Sequence, residues 1–269
     1  MRRTKKYLLF TCLFTMSVLS LVSCVQKGSG GKEAKEKKGL PLVTDSMSIS
    51  KSADEIIFVD YDFQFLKPEN VVADSINAEI NEQCISGQHD SDIRTAIPTA
   101  MDKEMTALRA EVAEFHDPDD ETFGEVKYHV GKKGRFVEDA ADTVKVYRYE
   151  IDMYKGGAHG SYMPFTLNFS KTTGRVISIG DVLDTTQEQA VLEIMLAKLL
   201  KDNGCSTREE LIEKTGILGL GDLYLTENFH LGKDEITFCF GQYDISPYSS
   251  GITYISLSYD SLKQFLKSN

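Results

Sequence analysis

The stretch VKVYRYEIDMYKGGAHGSYMPFTLNFS, residues 144–170, decides the fold. Val144, Val146, Tyr147, Tyr149, Ile151 and Met153 recur at close to period two, the pattern of a half-buried strand, and Ser161 to Ser170 reads as its partner. Between them lies Lys155-Gly156-Gly157-Ala158-His159-Gly160. Three glycines so close together mark backbone that takes positive φ or comes near another chain. A histidine held there is on display, and two readings stay open: a ring that caps a carbonyl in a tight corner, or a contact for a ligand.

The neighbouring segments extend the same architecture. Upstream, Ile57, Val59, Tyr61, Phe63 and Phe65 alternate with polar residues as a strand that Pro68 ends. Helical spacing follows at Val71, Val72, Ser75, Ile76 and Ile80, then at Ile97, Met101, Met105, Leu108, Val112 and Phe115. Val126, Tyr128 and Val130 return to period two before Gly131-Lys132-Lys133-Gly134, which reads as a turn. Downstream, Lys171-Thr172-Thr173-Gly174 turns the chain into Arg175 to Ile179. Thr186 to Asn203 is an amphipathic helix closed by Gly204, and Ser206 with Glu209 predicts a capping box for a shorter one ending at Thr215. Strands are expected over Leu223 to Leu231, Ile236 to Phe240 and Ile252 to Tyr259, with a closing helix from Ser261 to Leu266. The fold class is α+β: two small α+β units, with mostly antiparallel sheets and helices packed on one face.

The first residues read as an address. Arg2, Arg3, Lys5 and Lys6 precede an apolar run from Tyr7 to Val22, and Leu21-Val22-Ser23-Cys24 matches a lipobox. Residues 1–23 are thus expected to be a lipoprotein signal peptide, with Cys24 the lipidated residue and the membrane a partner through that anchor. The protein is then placed in the cell envelope, periplasmic or at the outer membrane. Residues 24–50 are expected to be a flexible tether, 51–176 an N-terminal α+β domain and 177–269 a C-terminal one.

Charge narrows the partners. The formal net charge of −11 includes four basic side chains in residues 1–23 and a net +3 in residues 24–41, which leaves −11 − 4 − 3 = −18 on residues 42–269. Nucleic acid is excluded on that ground, and a cationic partner would be steered in. Once Cys12 leaves with the signal and Cys24 is lipidated, Cys84, Cys205 and Cys239 remain, with no CxxC pair; buried, unreactive thiols are expected.

No G-x-S-x-G elbow, H-E-x-x-H, phosphate loop or dinucleotide fingerprint occurs, so no catalytic residue, metal or cofactor is assigned. The five histidines lie far apart in sequence, and Asp117, Asp119, Asp120 and Glu121 lack the spacing of an EF-hand. The loop GQYDISPYSSG, residues 241–251, is too aromatic for a plain connector. The candidate ligand-binding residues are His159, Gly157, Tyr243, Asp244 and Tyr248, provided the two segments meet in space. The alternative is a hydrolase or transferase acting on cell-wall glycan and using His159 and Asp244, the imidazole doing the acid-base work and the carboxylate orienting it.

Three ordered motifs carry a family resemblance: Lys155-Gly156-Gly157-Ala158-His159-Gly160, Asn168-Phe169-Ser170-Lys171-Thr172-Thr173-Gly174 with Asp181-Val182-Leu183, and Tyr243-Asp244-Ile245-Ser246-Pro247-Tyr248 with Gly251. Together they resemble the extracytoplasmic RsiV-like domain pair, which is also similar to the non-catalytic part of PdaC-type peptidoglycan deacetylases: a PdaC N-terminal domain (DUF4163) followed by an RsiV-type domain (DUF3298). The resemblance implies a binding module for a cell-envelope component such as peptidoglycan, or for a cationic protein such as lysozyme. It does not imply deacetylation, because the deacetylase's metal-binding His and Asp motifs are missing.

Overall fold

Strands β1 (Thr44–Ala53), β2 (Ile57–Leu66), β3 (Tyr128–Val137), β4 (Val144–Tyr154) and β5 (Ser161–Ser170) lie side by side in that order in the computed structural model, which describes residues 41–115 and 126–267. The signal and lipobox, most of the tether and the acidic loop at Asp117–Glu121 lie outside the described residues. All neighbouring pairs are antiparallel except β2 and β3, which run parallel. A parallel step needs a crossover, supplied here by α1 (Val71–Ile80), a π-helical turn at Asn81–Ile85 and α2 (Ile93–Phe115). The alternation in β2 is realised directly: Ile57, Val59, Tyr61, Phe63 and Phe65 are buried beneath the two helices, along with Ile76, Ile97 and Met101.

β1 departs from expectation, since residues 44–50 had been assigned to the tether. Its sequence, TDSMSISKSA, offers only Met47 and Ile49 as large apolar side chains. An edge strand needs little more, because its pairing with β2 rests on backbone hydrogen bonds. The Gly131-Lys132-Lys133-Gly134 turn is also corrected: β3 runs straight through it. Gly134 is there for space, since a Cβ at that position would sit 2.0 Å from the Tyr147 hydroxyl, which donates to Gln64 O at 2.8 Å.

The second sheet, of β6 (Phe229–Leu231), β7 (Glu235–Phe240) and β8 (Thr253–Ser258), is an antiparallel meander. It packs with α3 (Ile179–Val182), α4 (Glu188–Asn203), α5 (Arg208–Thr215) and α6 (Tyr259–Leu262) around a core that includes Met195, Leu211, Phe238 and Phe265. Residues 223–228, expected to be strand, are irregular, and the cap of α5 falls on Thr207 rather than Ser206. Thr207 accepts from the Glu210 N–H at 3.2 Å, while the Glu210 carboxylate takes the Ser206 N–H at 2.7 Å rather than that of the cap itself, so the expected capping box is not formed. Residues 39–269 form one compact unit with two cores, and the second core reaches back before residue 177 to take Ala140, Val144 and Val146. Val144 and Val146 point to the face of β4 opposite Tyr147 and Tyr149, so one strand serves both cores.

No backbone ladder joins β5 to β6; carboxamides do it instead. Asn168, fully buried, donates to Phe229 O at 2.7 Å and accepts from the Leu231 N–H at 3.0 Å. Asn228 reciprocates, donating to Pro164 O at 2.8 Å and accepting from the Thr166 N–H at 3.0 Å. Gln242 adds a fifth bond, accepting from the Tyr162 N–H at 3.2 Å. A primary amide carries the donor and acceptor of a peptide group, so each asparagine substitutes for a missing strand residue.

The chain enters α3 through a capping box: Ser178 accepts from the Asp181 N–H at 3.2 Å, and Asp181 from the Ser178 N–H at 2.9 Å. The Ser178 N–H, followed by the Arg175 guanidinium and the Ser178 hydroxyl, pulls the Asp181 carboxyl down to about 2. A lowered carboxylate adds stability above its unfolded value of about 3.9 and loses it as pH falls through the folded value. Asp181→Ala should therefore cost roughly 0.5–1 kcal/mol at neutral pH, discounted for solvent exposure, with the gap closing as urea melts are taken from pH 5 toward pH 2. A gap that stays constant over that range would contradict the assignment.

Candidate functional site

The glycine-rich turn between β4 and β5 holds its shape through its own backbone. Gly156 and Gly157 take φ of 84° and 98°, and the Tyr154 hydroxyl donates to Gly157 O at 2.8 Å. Lys155 ties the turn to α2 through an ion pair with Glu111 at 2.7 Å. His159 is exposed, and its Nδ1 lies 3.1 Å from Gly160 O. A carbonyl only accepts, so Nδ1 carries a proton and Nε2 of the neutral ring is left as an acceptor.

The loop between β7 and β8 delivers the partners. Asp244 accepts from the Gly241 N–H at 2.7 Å and so closes the first bend of the loop, with Ile245 and Ser246 buried beneath it. Pro247 leads into a 3₁₀ turn at Tyr248–Ser250, and the Ser250 hydroxyl donates to Thr215 O at 2.7 Å, anchoring the loop on the end of α5. Tyr243, about half exposed, sits at φ 68°, an uncommon conformation for a bulky residue.

The two segments meet. The rings of His159 and Tyr248 stack with centroids 3.7 Å apart and planes 17° from parallel. Tyr243 lies 6.0 Å from the Tyr248 ring, and its hydroxyl is 3.4 Å from His159 Nε2. Of the residues singled out in the sequence, His159, Tyr243 and Tyr248 converge, and Gly157 shapes the turn. Asp244 is occupied within its own loop, and the side chain the structure gives His159 for a polar partner is Tyr243. The carboxylate that the glycan-hydrolase alternative needs to orient His159 is thus engaged elsewhere, on the Gly241 N–H.

Other clusters emerge only in three dimensions. His129 lies between Asp60, at 3.2 Å, and Asp152, at 3.9 Å, on the polar face of the larger sheet. Glu79, Glu82 and His89 bring ligand atoms within 4.8 Å of one another at an exposed surface, because the π-helical turn folds residue 89 back over α1. Sequence spacing alone had given no histidine such neighbours. Burial pushes the Cys84 thiol up to about 12 and that of Cys239 up to about 11, so both stay protonated; Cys205 is also unbridged. Among the described residues, no helix is long and apolar enough to cross a membrane.

Residues 181–260 match the model of DUF3298, a family of proteins of unknown function. That span runs from the end of α3 through β8 and includes the whole aromatic loop. A solved DUF3298-family structure from Bacteroides fragilis is similar over 85% of this chain and 94% of its own, at 25% identity and a TM-score of 0.75. Another, from Pseudomonas aeruginosa, shares the fold at 18% identity, with a TM-score of 0.56 over 85% of this chain and 96% of its own. None of the curated proteins matches the chain.

The left-handed backbone at Tyr243 makes the site testable apart from any ligand. Glycine is at ease there, whereas a β-branched residue is not. Tyr243→Gly should unfold in urea within about 0.5 kcal/mol of the parent, and Tyr243→Val about 1–2 kcal/mol below both. Equal stability of the valine and glycine variants would mean that the loop does not hold this conformation.

Proposed function

We propose that the protein is a lipid-anchored component of the cell envelope, tethered through Cys24, that binds a cationic protein of the lysozyme type through the His159, Tyr248 and Tyr243 platform. The stacked His159–Tyr248 pair carries the reading. Rigid aromatic side chains on pre-shaped loops lose little entropy on binding and are favoured at recognition surfaces. The −18 charge on residues 42–269 favours a basic partner, and a cationic protein is one of the two ligand classes that the resemblance to the RsiV-type and PdaC-type domains implies. Glycan hydrolysis is the weaker reading, because Asp244 spends its carboxylate on Gly241.

Calorimetric titration of a c-type lysozyme and, separately, of soluble peptidoglycan fragments tests the proposal. Lysozyme is expected to bind, with affinity falling at least tenfold between about 50 and 300 mM salt. Tyr248→Ala and His159→Ala should each weaken binding at least tenfold while keeping the parent's melting temperature to within a few degrees. Binding that survives both substitutions, binding of the glycan alone, or turnover of the glycan abolished by His159→Ala would overturn the reading.

A further inference from the structure

A second surface of different chemistry lies away from the aromatic platform. The helix-side face of the larger sheet is covered over β1 and β2 by α1 and α2, but over β4 and β5 it opens into a groove of about 640 Å³. Its apolar lining includes Tyr149, Ile151, Phe165, Leu167 and Val176. Phe165 is 42% exposed, the outermost member of an aromatic row in which Phe63 stacks on Tyr149 at 6.1 Å and Tyr149 on Phe165 at 6.0 Å. Such a volume, mostly apolar with a few polar groups, suits a small molecule.

Its polar groups are neutral amides and hydroxyls apart from one carboxylate. The amides of Asn168 and Asn228 are spent on joining β5 to β6, and among the described residues no lysine or arginine lines the groove. Among the described residues Glu227 is its single charged lining residue, and one of its oxygens accepts from the Ile179 N–H at 2.9 Å. At the π-helical turn, Gln83 in the lining donates to Glu79 at 2.9 Å, next to Glu82, so the groove has a carboxylate near that end as well. An anionic headgroup would meet repulsion here, and a neutral one would leave the acidic rim unanswered.

We infer that this groove is a binding site for a small amphipathic cation, an alkyl or aryl body carrying an ammonium or guanidinium group. The body covers Phe165 and Leu167, and the charge lies against Glu227. This inference does not depend on the aromatic platform.

The test is calorimetric titration of the folded chain with decyltrimethylammonium, decyl sulfate and decyl maltoside, each below its micelle concentration. The ammonium should bind saturably at one site, at least tenfold more tightly than the sulfate, with the maltoside between them. Phe165→Ala should weaken all three, because it removes apolar cover that is already partly exposed. Glu227→Gln should cut the preference for the cation at least fivefold while still accepting the Ile179 N–H. If that variant melts early, Gln83→Lys, at an exposed position, places a cation on the rim and should cut the preference alone. Absence of saturable binding by all three amphiphiles, tighter binding of the sulfate, or a preference unmoved by whichever of Glu227→Gln and Gln83→Lys retains the parent melting temperature would overturn the inference.

Discussion

Two asparagines facing one another across a strand gap hold this molecule together. β5 and β6 sit side by side without a backbone ladder, and Asn168 and Asn228 bridge them with four hydrogen bonds, two in each direction. Each bond nets only about 0.5–1.5 kcal/mol, but removing the Asn168 amide would leave the buried Phe229 carbonyl and Leu231 N–H without partners, at about 1–3 kcal/mol each. Aspartate could not serve in either place, because it has no N–H to donate. Asn77 uses the same device at the end of β2, taking the Leu66 N–H at 2.9 Å and donating to Leu66 O at 2.7 Å.

This junction fixes the geometry of everything proposed to bind. The glycine-rich turn leaves one end of β4 and β5, and the aromatic loop belongs to the smaller sheet, so the distance between His159 and Tyr248 is set by how β5 meets β6. Gln242 extends the junction into the aromatic loop by taking the Tyr162 N–H. The apolar groove has Asn168 and Asn228 in its wall and opens where their amides pull residues 226–228 against β5. The proposed recognition surface, built across two sheets, needs a rigid seam, and the buried amide of Asn168 with the half-buried one of Asn228 supplies it.

Much of this was legible in the order of residues, for physical reasons that differ by element. β2 and α2 announced themselves because each turns one apolar face to the core, so period two or 3.6 survives, and β4 did so through apolar residues on both of its faces. β1 did not, since an edge strand needs backbone pairing more than apolar side chains. Gly131 and Gly134 misled because the same residue that frees a turn also makes room inside a strand for a bulky neighbour, here His129 at Gly131 and Tyr147 at Gly134. For the site, composition identified His159, Tyr243 and Tyr248, while the role of Asp244 depended on a bend three residues long that spacing does not specify. The groove left no trace in the pattern: Phe165 and Leu167 alternate like any core strand, and only the extent of helical cover shows that their face is open. Asn168, a lone amide inside the apolar run LNF, was the one available sign of the seam.

Native-state hydrogen exchange tests the seam most directly. The Leu231 N–H points at Asn168 rather than into the β6–β7 ladder, and the Thr166 N–H points at Asn228 rather than at β4. If the amides carry the junction, both protons should exchange as slowly as the ladder amides of β7, such as Phe238. Exchange of Leu231 and Thr166 at loop rates, while β7 stays protected, would contradict the account.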